Sequence, residues 1–319
     1  MPGQAPGLPR PRHEWKHFGR SIEGGLSVPQ STESHSARRN TNDAATAPGA
    51  GTTAPPARHL PVAVRYELAG AAGQGLPHVR RTLRLGEAAR AYAMGRCGRL
   101  FGGNVSAALS GHEGAGPARG HRHAFFLPTD EDNDGAIDHL TVYAAGGFDD
   151  RELKALQSLS LLAWGRSGAL RLELLGFLLP EELARVPAFA PSARWHSVTP
   201  MVLYRHPKKY RRGEPKLNEF GRQIDGPEDQ LHREWGYRQA LDPDLPGIAA
   251  ARLIPARTLS DGTEVHWLAF VRKRRRETAP VTGLAFGFEV EFEKPVPGPV
   301  AVGYGAHFGL GLFAPLQRS

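Results

Sequence analysis

The chain has 319 residues, and its 40 Lys and Arg residues against 32 Asp and Glu give a formal net charge of +8. A single cysteine, Cys97, excludes a disulfide framework and a cysteine-rich zinc site. The sequence has neither an apolar run of about 18 residues nor a secretory apolar segment, so we expect no membrane contact and no secretion. These properties predict a cytoplasmic protein whose basic charge favours a polyanionic partner such as nucleic acid.

The first 60 residues differ in composition from the rest. They contain eight prolines among many Ala, Gly, Ser and Thr residues, and their apolar residues show no periodicity. Such a segment buries too little surface to offset the entropy lost on ordering, so residues 1–60 are expected to be low-complexity and disordered. Globular patterning begins at residue 61. The length of the whole chain favours two compact domains, and the patterning places them at 61–180 and 181–319.

The first predicted domain has the element order β-α-β-β-α-β. Alternating apolar residues predict strands at Pro61–Leu68, His121–Leu127, Ile137–Ala144 and Leu170–Leu179. Helical spacing predicts a helix over Leu85–Phe101, and a capping box with Asp149 at the N-cap and Glu152 at N3 predicts the start of another. The two middle strands flank an acidic loop, which is typical of a β-hairpin. This order is the ferredoxin-like arrangement.

The second predicted domain is less regular. Strand patterns occur at Trp195–Tyr204, Ile248–Leu259, Val265–Val271 and Leu284–Glu293. Pro227 is suited to the first position of a helix, and the second and third strand patterns look like a pair. No second helix is visible between residues 272 and 283, so this half is either a degraded copy of the first or an unrelated α+β domain. The predicted fold class is α+β, with tandem ferredoxin-like (RRM-like) domains of which the second is degenerate.

The acidic loop of the hairpin resembles a calcium-binding loop. Asp130–Asp138 (DEDNDGAID) places oxygen-bearing residues at positions 1, 3, 5 and 9 of an EF-hand loop and glycine at position 6. Position 12, where a bidentate glutamate belongs, is Thr141, and both flanks alternate like strands. A hairpin turn rich in Asp, Asn and Gly is therefore favoured over a calcium site.

Histidines near the hairpin are candidates for acid–base chemistry. His121 and His123 lie two residues apart and share one face of a predicted strand, and His139 follows across the hairpin. Imidazole titrates near neutral pH, so such a group can serve as a general acid or base. The alternatives are strand histidines without a role, which the sequence alone favours, or a zinc site that lacks a recognisable fourth ligand.

Basic clusters and a glycine-rich stretch are further candidates for binding. Six cations within residues 205–216 are interleaved with Tyr204 and Tyr210, and Arg272–Arg276 is an uninterrupted basic run. Such clusters suit phosphates and stacked bases, although solvated loops have similar compositions. Gly303–Phe313 (GYGAHFGLGLF) contains four glycines separated by aromatic and other residues. Such glycines let a backbone approach a phosphate closely, or they form a tight β-bend.

Four segments together resemble a known family. Gly120–Phe148 (GHRHAFFLPTDEDNDGAIDHLTVYAAGGF), Trp195–Pro207 (WHSVTPMVLYRHP), Gly226–Arg233 (GPEDQLHR) and Pro297–Pro315 (PGPVAVGYGAHFGLGLFAP) are similar to the CRISPR-associated Cas-five/Cas-six fusion proteins of type I-U (I-G) systems. Members are expected to carry an amino-terminal backbone-subunit half, for which residues 1–60 are too short. The resemblance therefore implies mainly the RNA-processing half of such a protein, in a truncated or split gene.

The resemblance implies an activity and a set of site residues. The activity is metal-independent endoribonuclease processing of precursor CRISPR RNA, in which a 2′-hydroxyl attacks the adjacent phosphate, without cofactor or metal. The candidate catalytic residues are His123, His121 and His307. The candidate RNA-binding residues are Arg122, Arg205, Lys208, Lys209, Arg211, Arg212, Arg272, Lys273, Arg274, Gly303, Tyr304, Gly305, Gly309 and Gly311.

The expected partner is CRISPR repeat RNA, with other CRISPR effector subunits as further candidates. An alternative function uses the same basic clusters in a non-catalytic RNA-binding subunit of a CRISPR effector complex. A calcium-dependent module built on Asp130–Asp138 is a distant third hypothesis.

Overall fold

A computed structural model describes residues 60–113, 116–117, 123–163, 168–270 and 282–316. The disorder expected for residues 1–60 concerns residues outside these ranges, apart from Leu60. Among the described helices, none combines the length and the apolar character needed to cross a membrane.

The first half forms a five-stranded antiparallel sheet. Its elements are β1 (Ala63–Gly70), α1 (Thr82–Leu100), α2 (Ala107–Ser110), β2 (His112–Glu113), β3 (Gly116–Pro117), β4 (Phe125–Thr129), β5 (His139–Tyr143), α3 (Asp150–Gln157), β6 (Leu161–Ala163) and β7 (Ala169–Leu178). The strand order is β4-β5-β1-β7-β6, and every neighbouring pair is antiparallel. Without the added edge strand β6, this is the strand order of a ferredoxin-like domain, so the predicted arrangement is confirmed.

Local sequence explains the two helices of this half. α1 buries Leu85, Ala89, Ala93 and Cys97, which recur every four residues and place one stripe of the helix in the core. α3 begins at the predicted capping box, in which the Glu152 amide donates to the Asp149 carboxylate and the Asp149 amide donates to Glu152, both at 2.8 Å.

The second half repeats the topology with one helix missing. Its elements are β8 (Ser192–Ser197), β9 (Met201–Val202), α4 (Pro227–Leu241), β10 (Ile248–Ile254), β11 (Ala256–Thr258), β12 (Glu264–His266), β13 (Ala285–Val296) and β14 (Phe313–Pro315). The sheet order β10-β13-β8-β14 matches that of the first half, strand for strand. The connection from β13 to β14 has a short 3-10 turn, Ala306–Phe308, where the second helix belongs. The second half is therefore a degenerate ferredoxin-like copy.

Two predictions about the strands of this half are wrong. Trp195–Tyr204 is not one strand, because β8 and β9 are separated by residues 198–200 and pair with different parts of β13. Ile248–Leu259 does not pair with Val265–Val271 as a whole, because β10 pairs with β13 and only the short β11 and β12 pair with each other. In this topology the position of the second helix is the connection from β13 to β14, and most of the stretch 272–283 lies outside the described residues. Apolar alternation identifies strands but not their partners, and β13 is long enough to pair with three of them.

The two halves share packing. Within the second half, α4 begins at Pro227, as predicted, and places Trp235 against Phe292 of β13, with ring centroids 4.5 Å apart and an interplanar angle of 38°. Trp267, Phe270 and Leu310 of the second half are buried in the same cluster as the core of the first sheet. The described residues therefore form one compact unit. The boundary at residue 180 stays a prediction.

Candidate active site and nucleic-acid interface

Two of the three candidate catalytic histidines meet where the halves join. The rings of His123 and His307 are stacked, with centroids 3.8 Å apart and an interplanar angle of 25°. Phe125 lies against the same His307 ring, with centroids 4.0 Å apart. Both imidazoles are half-buried. His121 lies outside the described residues.

Backbone hydrogen bonds and packing position the two rings. His123 lies directly before β4, and the next residue, Ala124, donates its amide to the Ala108 carbonyl of α2 at 2.7 Å. The chain therefore enters the strand at a fixed position. His307 lies in the 3-10 turn Ala306–Phe308, which the glycine-rich stretch carries against α1 and β4.

Close packing explains the glycines of this stretch. Gly309 has φ +85°, and a Cβ there would lie 2.7 Å from Cγ2 of Thr82 in α1. Gly311 has φ +61°, and a Cβ there would overlap the Val302 carbonyl. These two candidate RNA-binding glycines thus face protein atoms, because the stretch must pass closely beside α1 and beside its own residue Val302.

The other residues predicted at this stretch are also held by protein contacts. Gly303 is buried beside β9, and Gly305 lies beside Leu83 of α1. Tyr304 donates its amide to the Val202 carbonyl at 3.1 Å, and its half-buried ring contacts Tyr204 edge-on, with centroids 6.3 Å apart.

α4 holds the start of the same stretch. Arg238 donates from Nη2 to the Ala301 carbonyl, and Glu234 accepts the backbone hydrogen bond of Gly303. Burial raises the pKa of Glu234, while Arg238 opposes that rise. These contacts fix the direction in which His307 approaches the first sheet.

Arg90 adds a cation beside His123. Its Nε donates to the Leu109 carbonyl at 3.2 Å, and its Nη2 donates to the Ser110 carbonyl. A Cβ built on Gly111 would lie 3.3 Å from Arg90 Nη2 and 3.6 Å from His123 Cδ2. The guanidinium and the imidazole are therefore both close to this point. Partial burial lowers the pKa of Arg90, yet arginine stays charged at neutral pH.

Sequence reasoning missed Arg90 because a helical arginine between apolar positions is the ordinary pattern of an exposed helix face. The arrangement now contains two proton-transfer groups and one fixed positive charge. Such a set can remove a proton, supply a proton and stabilise developing negative charge.

The predicted basic residues of residues 205–212 are exposed. They belong to a segment that leaves the second sheet after β9 and returns at α4, and they are Arg205, Lys208, Lys209, Arg211 and Arg212. Only Lys208 has an ion pair among the described contacts of these five, with Asp225 at 3.4 Å. Arg122, Arg272, Lys273 and Arg274 lie outside the described residues.

The acidic loop lies at the other end of β4 from His123, and its Asp130 forms an ion pair with Arg257. Carboxylate oxygens of Asp130, Asp132 and Asp138 lie within 4.8 Å of one another. Arg257 of β11 places Nη2 2.7 Å from Asp130 Oδ2 and 2.8 Å from Asn133 Oδ1. The loop connects the antiparallel β4 and β5, so the favoured hairpin interpretation is confirmed.

His139 lies far from His123, whereas the zinc hypothesis required these two ligands to lie together; the third ligand, His121, lies outside the described residues. His139 pairs with Thr129, six residues along the strand direction from His123, which corresponds to about 20 Å. Its Nδ1 lies 2.9 Å from Asp138 Oδ1, within the acidic loop.

The chain matches no known family model and no curated protein. Among solved structures, a "CRISPR associated protein Cas6" is 9% identical, with a TM-score of 0.37 and coverage of 80% of this chain and 99% of that chain. A "Cas6b" structure is 11% identical, with a TM-score of 0.37 and coverage of 80% and 100%. The product of a Cas6-related gene from Pyrococcus furiosus is 11% identical, with a TM-score of 0.39 and coverage of 81% and 100%.

Proposed function

We propose that this chain binds CRISPR repeat RNA and cuts it as a metal-independent endoribonuclease, with His123 and His307 as the acid–base pair. The observation that carries the proposal is the stack of these two rings across the two halves. Each ring comes from a different segment of those that resemble the CRISPR-associated fusion proteins. His123 and His307 are two of the three histidines that the resemblance makes candidates for catalysis, and their stacking supports a shared role.

The chemistry needs one neutral and one protonated imidazole. The neutral ring takes the proton of a ribose 2′-hydroxyl, and the oxygen attacks the adjacent phosphorus. The bond from phosphorus to the 5′-oxygen breaks, and the protonated ring gives its proton to that oxygen. The products are a 2′,3′-cyclic phosphate and a 5′-hydroxyl. Repulsion between two imidazolium cations at this separation favours the state with one charge.

Arg90 is suited to the charge that develops on the phosphorane. Its guanidinium is fixed by two carbonyls of α2 and borders the same position as His123. A preorganised cation stabilises the transition state without reorganising during the reaction. The exposed basic residues Arg205 to Arg212 supply contacts to the RNA backbone.

The alternative is a non-catalytic RNA-binding subunit of a CRISPR effector complex. It is favoured by the contact of Phe125 with the His307 ring, because a histidine enclosed by a second histidine and a phenylalanine also fits a packing role. Both candidate functions use the same basic residues, so product analysis must separate them.

The test is incubation with repeat RNA from the protein's own locus in EDTA, followed by mapping of the product ends. We expect a cyclic phosphate, and we expect His123→Ala and His307→Ala to lower the single-turnover rate by about 10²- to 10⁴-fold with repeat binding retained. His266→Ala, an exposed histidine on β12, is the matched control. Normal cleavage by both variants would refute the site, and tight binding without any cyclic product would favour the alternative.

A further inference from the structure

An exposed arm precedes α4, at residues 208–224. Two short hairpins, 208–216 and 216–224, are closed at their base by three backbone hydrogen bonds: Lys208 donates its amide to Ile224 at 2.9 Å, Lys216 to Lys208 at 3.0 Å and Ile224 to Lys216 at 2.7 Å. Tyr210 lies at the turn of the first hairpin and Phe220 at the turn of the second. The arm thus has a defined backbone shape.

The arm keeps this shape without a core. None of residues 208–224 is buried, and three of its apolar side chains are more than half exposed: Tyr210 at 57%, Leu217 at 56% and Phe220 at 68%. Packing therefore does not account for the two aromatic rings, and clustered exposed apolar groups in a soluble protein commonly mark a binding surface.

The rings lie beside positive charge. Lys216 Nζ lies 5.1 Å from the centroid of the Tyr210 ring, and Arg222 Cζ lies 5.2 Å from that of Phe220. Residues 208–222 carry six cations against two carboxylates. An aromatic face with an adjacent cation suits a stacked base and its phosphate together.

The base of the arm is fixed to α4. The buried carboxylate of Asp225 contacts Lys208 Nζ at 3.4 Å and Arg233 Nη1 at 2.8 Å. Asp229 accepts from Asn218 Nδ2 at 2.9 Å, which ties the second hairpin to the helix. A surface held in one orientation loses less entropy when a ligand binds.

We propose that residues 208–224 form a stacking platform for unpaired nucleotides, so that the protein binds a single-stranded part of its RNA through Tyr210 and Phe220. This inference depends on the proposed function, because it takes RNA as the partner. Base faces are accessible to side chains only where the strand is unpaired, which excludes a regular duplex as the ligand of the rings. An acidic peptide would use the cations but gain nothing from the electron-rich ring faces, so single-stranded RNA fits the set better.

The test measures binding of the full chain, in EDTA, to a labelled 12-nucleotide oligoadenylate and to a blunt RNA duplex of equal length. Phe220→Leu and Tyr210→Leu are each expected to weaken binding of the single strand by about 5- to 150-fold and to leave duplex binding within about twofold. Tyr237→Leu on α4, which removes an equally exposed tyrosine ring outside the arm, is the matched control, and it is expected to bind like the parent chain.

Unchanged single-strand binding in both aromatic variants would overturn the proposal, as would an equal loss for the duplex. So would arm-dependent binding of polyglutamate without binding of oligoadenylate. Cleavage is not part of this readout. Arm-dependent RNA binding by a chain that never yields a cyclic phosphate would therefore support the platform while refuting the nuclease.

Discussion

Arg257 and Asp130 form a buried ion pair between the two halves, with Nη2 2.7 Å from Oδ2 and side chains only 6% and 0% exposed. The same guanidinium donates to Asn133 and to the Val198 carbonyl at 3.2 Å. Asn133 in turn donates to the Thr258 carbonyl at 3.0 Å. The acidic loop therefore contacts β11 of the second half, and it joins the two halves at the opposite end of β4 from His123.

Removing this arginine is expected to destabilise the whole unit. Arg257→Ala leaves the Asp130 carboxylate buried without its cation, which typically costs about 3–5 kcal/mol. Arg252→Ala removes an arginine that is 70% exposed and pairs with Glu289, so it should cost no more than about 1 kcal/mol. Urea denaturation of both variants measures the difference. Equal losses would show that the buried pair does not hold the halves together.

Calcium is expected to leave the Tm of the parent chain unchanged. Arg257 already supplies positive charge to the loop, and Thr141, at the position of the missing glutamate, is buried within β5. Thermal unfolding with calcium, with magnesium and with EDTA tests this. A rise in Tm with calcium alone would restore the calcium-module hypothesis.

Burial of His196 predicts a loss of stability on mild acidification. Burial lowers the pKa of His196 on β8, and Arg257 acts in the same direction while Glu289 opposes it. Below about pH 6.5 the unfolded chain therefore binds a proton at this histidine more readily than the folded chain does. The contribution of neutral His196 to folding stability is complete above that pH and is lost as the pH falls.

The measurement compares the free energy of unfolding at pH 7.5 and 5.5 for the parent chain and for His196→Asn. The variant should show the smaller decrease. His266→Asn, at an exposed position, should follow the parent chain. Burial raises the pKa of Asp130 to about 6, and this shift favours the folded chain as the pH falls, opposite to the effect of His196. The parent chain and His196→Asn share the Asp130 effect, so it cancels when they are compared. An identical pH dependence would contradict the prediction.

Two glycines give opposite expectations for substitution by alanine. Gly311→Ala puts a side chain on a residue with φ +61° and into the Val302 carbonyl, so a loss of about 1–3 kcal/mol is expected, together with slower cleavage as His307 shifts. Gly236→Ala lies in the exposed interior of α4 with no atom close to the added carbon, and it should gain about 0.5–1 kcal/mol. Chemical denaturation of both variants decides the signs.

Local patterns in the sequence identified much of the fold. The Asp149 capping box, the first β-hairpin and the start of α4 at Pro227 depend on residues only a few positions apart, and all three are confirmed. Partners of β10 and β13 could not be read in this way, because each choice depends on distant strands.

The residues of the candidate site show the same difference between local sequence patterns and tertiary contacts. His123 and His307 were each selected from their own segment, but their stacking depends on how the glycine-rich stretch docks on α1. Arg90 and Arg257 carry no sequence signal, since 33 arginines are spread over the chain and only the tertiary fold distinguishes these two. Burial and partners, rather than residue type, identified them.

Replacing Arg90 tests the charge beside the histidines. Arg90→Gln keeps a side chain able to donate to one of the α2 carbonyls but removes the cation, and we expect the single-turnover rate to fall by about 10²- to 10³-fold with a small change in RNA affinity. Arg96→Gln is the matched control on the same helix, because Arg96 donates to Ser158 Oγ at 2.8 Å, away from the histidine pair. Since both substitutions cost a hydrogen bond, the Tm should drop similarly in the two variants, and only the rate should separate them. Equal rates would mean that Arg90 supports α2 without acting on the scissile phosphate.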